Sequence, residues 1–340
     1  MPIDASIQWG GDSLLRNTKV GIFSPASATH AKTSARFQRA YTYLVEKGLY
    51  LMMGSLIYEK YLYCSGNIEE RADELNNLIY SDCDYLFASI GGLNSASILP
   101  LIDYCYLIDN PKIFIGNSDV TSILSAVYTK AKLSSYYYMT LLPAFGEIGF
   151  FLEENYKYFK QIILNKPTSY NYKMPSFWTD EWINWEKFER EKKRHSNKWL
   201  PLSYGKTEAI LVGGNFSTLV KLCGTPFLFD FTDKILFLED TQIDASTLES
   251  NIMIFEQNGV FKKIRGLILG KCELYDDMGT ELCFSEWFVS FIKRYSFPIL
   301  GEFDCGHTHP CLPLLIGGNY LLDINSNTCK LSLREKGVVL

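Results

Sequence analysis

The chain has 340 residues, of which 47% are hydrophobic and 15% aromatic, so it is long and apolar enough for about two packed domains and is not disordered. The net charge of −5 and the absence of a long basic run argue against nucleic-acid binding. No apolar run approaches the ~18 residues of a membrane span, and the polar N-terminus shows no secretory signal. The nine cysteines are odd in number and scattered, which favours reduced thiols in a cytoplasmic protein.

The first half of the chain alternates between strand and helix patterns joined by short connections. Strands are predicted over 19–23, 49–53, 85–90 and 113–115, and helices over about 34–47, 68–80, 96–104 (disturbed by Pro100) and 120–132. This order is typical of an α/β fold with a doubly wound parallel sheet, in which functional loops follow the carboxyl ends of the strands.

The pattern changes between about residues 149 and 202, where charged residues and tryptophans mix. We predict a linker and surface loop here, whose tryptophans either stack on a planar ligand or fill a domain interface. The basic stretch 187–194 is diluted by glutamates and is predicted to be a solvated face. The predicted division is an N-terminal α/β domain over 1–165, a linker and Trp-rich substrate loop over 166–202, and a smaller C-terminal domain over 203–340.

A second alternating region indicates that this C-terminal domain is also α/β. Strands are predicted over 208–212, 234–238, 265–270 and 298–300, and helices over 216–223, 247–258 and 283–295.

Ser118 lies where the strand 113–115 stops at Gly116-Asn117 and a helix begins at once. A serine on such a turn is held in an exposed, strained position beside helix N-terminal N–H groups, as a nucleophile requires. The stretch lacks the second glycine of G-x-S-x-G, and a serine here is also a common helix N-cap. Local sequence therefore leaves both roles open.

A serine nucleophile needs a histidine base and an acid that orients it. Of the four histidines, His195 lies in a charged run and His30 in a loop after a strand, whereas His307 and His309 lie in a loop punctuated by glycine and proline. Glu239 directly follows a very apolar strand, where a carboxylate must have a partner. The order serine, Glu239, His307 is that of the α/β-hydrolases.

Backbone N–H groups at Gly91-Gly92 and at Asp119 are candidates for an oxyanion hole, because each follows a predicted strand of the same sheet.

A metal site is the alternative at the histidine loop. Cys305, His307, His309 and Cys311 alternate along the chain, but alternate residues of a strand rarely converge on one tetrahedral ion. The sequence has no phosphate-loop, dinucleotide or zincin motif, so we expect no cofactor and no metal.

Several short segments, in order and together, resemble the LD-carboxypeptidase family of serine peptidases, and within it the microcin C self-immunity branch. The resemblance covers nearly the whole chain. It is carried by SP (24–25), SIGGLNS (89–95), IGNSD (115–119), VGGN (212–215), LED (238–240), LGK (269–271) and CGHTHP (305–310).

The resemblance implies a catalytic triad with Ser118 as nucleophile, Glu239 as acid and His307 as base. It implies oxyanion donors at the N–H groups of Gly92 and Asp119. The N-terminal domain would carry the serine and the C-terminal domain the acid and base.

The resemblance also implies the substrates. Family members cut an amide next to a D-configured centre in muropeptides, and the immunity branch cuts the amide joining a terminal aspartate to a modified nucleotide. In that branch a tryptophan stacks on adenine, which points to Trp182 or Trp185, and Glu273 would hold the substrate's amino group. Gly91 and Asn94 complete the predicted substrate-binding set.

The sequence departs from that branch after Glu239, because a basic side chain expected within 241–245 is missing. Two substrates therefore stay open: a small peptidyl-nucleotide and a muramoyl-tetrapeptide of cell-wall recycling. A non-catalytic small-molecule binding protein is the alternative of another class. The family implies a homodimer.

Overall fold

The computed structural model describes residues 18–28, 34–184, 186–187, 190–326 and 328–335. Its strands are β1 (Lys19–Phe23), β2 (Tyr50–Met53), β3 (Tyr85–Ala88), β4 (Ile113–Gly116), β5 (Ser135–Tyr137), β6 (Tyr170–Asn171), β7 (Phe177–Trp178), β8 (His195–Ser196), β9 (Leu200–Ser203), β10 (Gly205–Asn215), β11 (Ile235–Glu239), β12 (Gly266–Gly270), β13 (Ile299–Phe303), β14 (Leu314–Ile316), β15 (Asn319–Ile324) and β16 (Cys329–Glu335).

The α-helices alternate with these strands, as the sequence predicts. They are α1 (Ser34–Glu46), α2 (Ile68–Tyr80), α3 (Tyr104–Asp109), α4 (Thr121–Ala131), α5 (Leu141–Phe145), α6 (Phe150–Tyr158), α7 (Phe216–Lys221), α8 (Ala245–Gln257) and α9 (Phe284–Ile292). Short 3₁₀ turns cover Ser95–Leu101 and Ser118–Val120, and a π-helical segment covers Phe159–Leu164.

The first sheet has the order β14-β5-β4-β3-β1-β2. Strands β1 to β5 are parallel to one another, which confirms the predicted parallel sheet. The edge strand β14 is antiparallel and comes from the C-terminal part of the chain, far from its neighbours in sequence. The sequence pattern around residues 314–316 does not predict that this strand joins the first sheet.

The second sheet has the order β6-β16-β15-β10-β11-β12-β13-β9. Its central strands β10 to β13 are parallel, and the outer strands are antiparallel. This confirms a separate C-terminal α/β domain. The outer strands β6 and β9 come from the predicted linker 166–202, whose boundaries stay a prediction.

Helix α2 shows why these residues form the predicted elements. Asn67 accepts a hydrogen bond from the Glu70 N–H at 2.8 Å, and the Glu70 carboxylate accepts one from the Asn67 N–H at 2.8 Å. This capping box satisfies two N–H groups that have no partner inside the helix. Apolar residues at helical spacing then face the core: Ala72, Leu75, Leu78 and Ile79 are all buried.

Two local predictions are wrong in detail. The stretch predicted as a linker and loop from about 149 begins with helix α6 and the π-helical segment, whose aromatic residues pack under the first sheet. The predicted helix 96–104 is a 3₁₀ turn followed by α3, because Pro100 cannot donate the backbone hydrogen bond of a regular helix.

The central strands of both sheets are buried along their length, as expected when helices cover both faces of a parallel sheet. Within the described ranges, no helix is both long and apolar enough to cross a membrane.

A buried ion pair fixes the segment that leaves β13. Lys271 Nζ lies 2.8 Å from Asp304 Oδ1, and both side chains are almost fully buried. The other carboxylate oxygen of Asp304 accepts hydrogen bonds from Asn197 Nδ2 at 2.9 Å and from Trp199 Nε1 at 2.7 Å. The pair therefore joins three stretches of chain immediately before the histidine loop.

We expect Asp304→Ala to lower the free energy of unfolding by about 3–5 kcal/mol, because Lys271 would stay buried without its anion. Urea unfolding followed by circular dichroism measures this. Asp233→Ala is the matched control, since the Asp233–Arg265 pair is more than half exposed and should contribute less than about 1 kcal/mol. Equal losses for both variants would contradict the structural role of the buried pair.

Candidate active site at the facing edges of the two sheets

The carboxyl ends of the parallel strands in the two sheets meet at one place. Strand β4 ends just before Asn117, whose Nδ2 donates a hydrogen bond at 3.1 Å to the carbonyl of Gly306, in the loop after β13. Asn215, at the end of β10, donates from its N–H to Thr121 Oγ1 at 3.0 Å. These contacts hold the serine turn against the loops of the second sheet.

Ser118 lies on the turn between β4 and α4 with a φ of 56°, in the left-handed region that non-glycine residues rarely adopt. Its N–H donates to the hydroxyl of Tyr137 at 3.2 Å. Gly91 lies directly against Ser118. A Cβ added to Gly91 would be 3.1 Å from Ser118 Cβ and 3.3 Å from Ser118 Oγ. The turn is therefore the strained, closely packed kind that exposes a serine hydroxyl.

Glu239 and His307 are in direct contact at the site. His307 Nδ1 lies 2.7 Å from Glu239 Oε2, and the Glu239 side chain has no exposed surface. The other oxygen of Glu239 accepts hydrogen bonds from Tyr137 at 2.5 Å and from Asn215 Nδ2 at 3.2 Å. A Cβ at position 306 would lie 2.5 Å from Glu239 Oε2, so only glycine lets the histidine loop come this close to the Glu239 carboxylate.

This carboxylate favours the charged form of the His307 imidazole. Burial alone lowers its pKa, but the charge and hydrogen bond of Glu239, together with the charge of Glu273, raise the pKa to about 9. The geometry requires the Nδ1 proton to point at Glu239, which leaves Nε2 as the nitrogen that can exchange a proton with a substrate or a hydroxyl.

Of the two residues predicted to donate to an oxyanion, Asp119 directly follows Ser118, and Gly92 lines the same cavity as Ser118. A Gly91 side chain would begin 3.5 Å from the backbone N of Asp119, so the two loops touch next to Ser118. The Asp119 carboxylate is buried and accepts hydrogen bonds from the N–H and hydroxyl of Ser95 at 2.8 and 2.7 Å. Because the N–H of Ser118 is bonded to Tyr137, the N–H of Asp119 is the better placed donor on this turn.

A cavity of about 530 Å³ brings most of the predicted residues together. It is lined by Ser118, His307, Gly91, Gly92, Glu273 and Trp182 of the predicted set, and by Ser27, Arg36, Ile90, Asn117, Met139, Thr140, Pro143, Ile183, Lys192, Gln242 and His309. The side chain of Trp182 is 60% exposed, so it stands at the rim. A volume of this size suits a small-molecule ligand.

Three described residues of the predicted set do not line this cavity: Asn94, Asp119 and Glu239. Asn94 begins the 3₁₀ turn Ser95–Leu101, where its carbonyl accepts hydrogen bonds from Arg71 and Ser97. Trp185 and His30 fall outside the described residues.

The other two histidines have different surroundings. His195 is exposed on β8, with its ring 5.9 Å from that of Trp178. His309 is buried, with Nδ1 3.1 Å from Asn155 Nδ2 and Nε2 3.5 Å from Glu147. Burial lowers the pKa of His309 well below its usual value, so this ring is neutral and accepts from Asn155 at Nδ1.

The alternating cysteines and histidines do not converge on one point. His307 pairs with Glu239 and His309 with Asn155, whereas Cys305 Sγ and Cys311 Sγ lie 4.0 Å apart in the core. Among the residues that the structure describes, no group of three or more histidine, cysteine or acidic side chains is arranged to hold a metal ion.

Sequence reasoning missed four polar side chains of the site. Tyr137 lies in a run of three tyrosines that only the fold identifies as a strand ending beside Ser118. Asn215 has no local signal beyond the family segment 212–215, and Arg36 lies on a helix remote in sequence. The prediction of a solvated face over 187–194 is wrong for Lys192, whose side chain is only 5% exposed and lines the cavity.

Two protein-family domains match this chain, one in each half. The LD-carboxypeptidase N-terminal domain matches residues 20–138, and the LD-carboxypeptidase C-terminal domain matches residues 208–322.

Two curated relatives are 36% identical to this chain. The microcin C7 self-immunity protein MccF of Escherichia coli aligns over 318 residues, 92% of each chain. A putative carboxypeptidase of Vibrio cholerae aligns over 318 residues, 93% of this chain and 95% of its own.

Solved structures agree with this placement. MccF in complex with aspartyl sulfamoyl adenosine is 34% identical, covers 97% of this chain and 99% of its own, and has a TM-score of 0.91. Another structure of MccF holds glutamyl sulfamoyl guanosine. A muramoyltetrapeptide carboxypeptidase from Oxalobacter formigenes shares the fold, with a TM-score of 0.75 at 20% identity. The family domains at both ends and the length of the alignments show that this chain belongs to the LD-carboxypeptidase family of peptidases.

Proposed function

We propose that the protein is a serine peptidase that hydrolyses an amide bond in a small aminoacyl-nucleotide of the microcin C type, with Ser118, Glu239 and His307 as its triad. The observation that carries this proposal is the 2.7 Å contact between buried Glu239 and His307 Nδ1, at a cavity that Ser118 also lines. A fully buried carboxylate on Nδ1 fixes the tautomer and orientation that a general base needs.

In the proposed reaction, His307 Nε2 takes the proton of Ser118 as Oγ attacks the amide carbonyl. The oxyanion of the tetrahedral intermediate accepts hydrogen bonds from the N–H groups of Gly92 and Asp119. His307 then gives its proton to the leaving amine, and an acyl-enzyme on Ser118 remains. Water, deprotonated by His307, attacks this ester and releases the acid.

Tyr137 supports this mechanism because it contacts both the proposed nucleophile and the proposed acid. Its hydroxyl accepts from the Ser118 N–H and donates to Glu239, so it ties the serine turn to the acid. Asn215 donates to Glu239 and to the neighbouring Asp240, whose pKa burial raises to about 6. These donors stabilise a carboxylate that would otherwise be costly to keep charged in the core.

An acidic aminoacyl-nucleotide is the substrate that the relatives favour. MccF, at 36% identity, has been solved with aspartyl sulfamoyl adenosine and with glutamyl sulfamoyl guanosine. An active-site variant of MccF replaces a serine, an asparagine and a lysine by alanine, and the asparagine and lysine lie 27 positions apart in that chain. Asn215 and Gln242 have the same separation here. We propose that Trp182, at the cavity rim, stacks on the base.

One observation favours the second candidate, a muramoyl-tetrapeptide LD-carboxypeptidase. If the shared separation of 27 positions is a true correspondence, Gln242 replaces the MccF lysine, and this wall of the cavity has one positive charge fewer. The anionic linkage of a nucleotide would lose that attraction, whereas a muropeptide lacks such a linkage. Glu273 serves either substrate in the proposal, since its carboxylate faces the cavity and would hold an amino group.

We also propose that the enzyme works in the cytoplasm as a homodimer. The nine cysteines are free thiols, which suits a reducing compartment. Membership of a peptidase family argues against the non-catalytic binding protein.

A side-by-side assay of aspartyl-sulfamoyl-adenosine and an LD-tetrapeptide tests the function. We expect amine release from the nucleotide conjugate to be faster, and Ser118→Ala to lower kcat/KM at least about a thousandfold with an unchanged melting temperature. Ser122→Ala is the control, because Ser122 is a buried serine in the first turn of α4, outside the cavity lining, and its hydroxyl donates to the Asp119 carbonyl. Faster cleavage of the tetrapeptide would select the second candidate, and turnover by Ser118→Ala would exclude Ser118 as nucleophile.

Variants of His307 and His309 should differ in effect, the first on catalysis and the second on stability. His307→Gln should lower kcat at least about a thousandfold with a small change in melting temperature, because it removes the base from a partly exposed position. His309→Gln should lower the melting temperature and leave kcat within about tenfold, because His309 packs in the core. The reverse pattern would mean that His309 is the base.

The pH dependence of kcat/KM should report the raised pKa of His307. As a base, His307 works only when neutral, so kcat/KM should rise with pH, reach half its maximum at about 9 and level off above that pH. Glu239→Gln removes the charge that favours the imidazolium, so the midpoint should move to lower pH while the plateau falls by about 10³–10⁴-fold. Glu249→Gln, an exposed change on α8, should leave the profile in place. A midpoint that stays near 9 in Glu239→Gln would contradict the pairing.

A further inference from the structure

Arg71 is one of the buried residues of α2 and is only 3% exposed, although its guanidinium is charged. The oxygens that accept its hydrogen bonds are uncharged: four backbone carbonyls and one hydroxyl. Its Nε donates to the carbonyls of Gly66 and Asn67, at 3.1 and 3.2 Å, where the chain enters the helix. Because a guanidinium carries five N–H groups in one plane, its two terminal nitrogens can donate to other segments at the same time.

These terminal nitrogens join the loops that follow β1 and β3. Nη1 donates at 2.6 Å to the carbonyl of Pro25, in the first loop, and at 3.2 Å to that of Asn94, in the second. Nη2 donates at 3.0 Å to Ser97 Oγ, and this hydroxyl donates at 2.7 Å to the same Asn94 carbonyl. Since β1 and β3 are neighbouring parallel strands, one side chain holds together two loops at the carboxyl edge of the first sheet.

Gly92 lies where these two loops touch. The N–H of Ser27 donates to the carbonyl of Gly91 at 3.2 Å. A Cβ added to Gly92 would be 2.6 Å from Ala26 Cβ and 2.9 Å from Ser27 Oγ, so a side chain at this position would push the loops apart. The loop after β1 is therefore the surface on which Gly92 rests, and a shift of that loop would move the Gly92 N–H group.

The loop after β3 also contacts Asp119, which carries the second proposed oxyanion donor. The Asp119 carboxylate accepts hydrogen bonds from the N–H and the hydroxyl of Ser95, at 2.8 and 2.7 Å. Ser95 directly follows Asn94, whose carbonyl Arg71 holds. The stretch from Gly92 to Ser95 thus connects both proposed donors, and the guanidinium binds it between them.

Glu74, one turn further along α2, holds the loop after β1 at a second point. Its carboxylate accepts hydrogen bonds from the N–H groups of Ser24 and Leu56, each at 2.7 Å. Ser24 is the residue before Pro25, so two side chains of one helix fix adjacent positions of this loop. Donors that are fixed in advance by a regular element are what stabilisation of an oxyanion requires.

We propose that Arg71 is a positioning residue for the oxyanion hole, which holds the loops after β1 and β3 so that the N–H of Gly92 is aligned with that of Asp119. The role rests on the proposed function, because it takes Ser118 as the nucleophile and these two N–H groups as donors to the oxyanion. Arg71 does not line the cavity, so it acts only through the loops. Its loss should therefore weaken binding of the transition state more than binding of the substrate.

Arg71→Met in the full-length protein tests this role, because it replaces the guanidinium by an uncharged chain. With the faster cleaved of the two substrates named above, we expect kcat to fall about 10- to 100-fold, as for misplaced rather than absent donors. Arg71→Lys keeps the charge but reaches fewer oxygens, so its kcat should lie between those of Arg71→Met and the unaltered protein. In the Ser118→Ala protein, calorimetry should give affinities for this substrate that agree within about threefold with and without Arg71→Met.

Asn76→Ala is the matched control on the same helix. The Asn76 side chain donates to the carbonyl of Leu101 at 2.8 Å and accepts from the N–H of Asp103 at 3.0 Å, beyond the far end of the 3₁₀ turn. Like Arg71→Met, this variant removes hydrogen bonds between α2 and a following segment and should lower the melting temperature. Unlike Arg71→Met, it should leave kcat unchanged.

An unchanged kcat in Arg71→Met would overturn the role. So would a loss of substrate affinity as large as the loss of kcat/KM, or an equal fall of kcat in Asn76→Ala. Arg71→Lys decides the question where Arg71→Met does not fold, and full kcat in Arg71→Lys would also overturn the role. Turnover by Ser118→Ala, or no turnover by the unaltered protein, would overturn the proposed function and this role with it, so the two failures are distinguishable.

Discussion

The contact between Glu239 and His307 is the interaction on which the site depends. A carboxylate without exposed surface is stable only when donors surround it, and Tyr137, Asn215 and His307 supply them. The charge and hydrogen bond of this carboxylate in turn raise the pKa of His307 and orient its ring. Since Tyr137 also holds the N–H of Ser118, one buried charge organises groups from both sheets.

The two sheets meet through the carboxyl ends of their parallel strands, and this arrangement has a physical reason. Loops at these ends leave the sheet without a covering helix, so they provide polar groups for a cavity. Asn117 reaches Gly306, and Thr121 reaches Asn215, so neither half of the site is complete by itself. The edge strand β14 crosses from the C-terminal part into the first sheet and adds a further connection.

The loop after β7 contributes both an aromatic rim and a buried charge. Trp182 stands exposed at the mouth of the cavity, whereas Lys192 turns inward to share Glu147 with Arg36. Hydrogen bonds to the start of α1 and to the histidine loop hold this segment beside the cavity. One stretch of chain therefore supplies both an aromatic side chain and a buried cation to the cavity.

The sequence alone determined the alternation of strands and helices, the parallel first sheet, the family and the position of Ser118 on a strand-to-helix turn. Periodicity and capping residues such as Asn67 act over a few neighbours, so they can be read locally. Which residues surround the turn depended on strand order and on contacts between segments more than 100 positions apart, as with Tyr137 and Glu239. Lys192 is the clearest case: its neighbours in sequence are charged and exposed, and only the tertiary structure, by packing it against Glu147, turned it into the cavity.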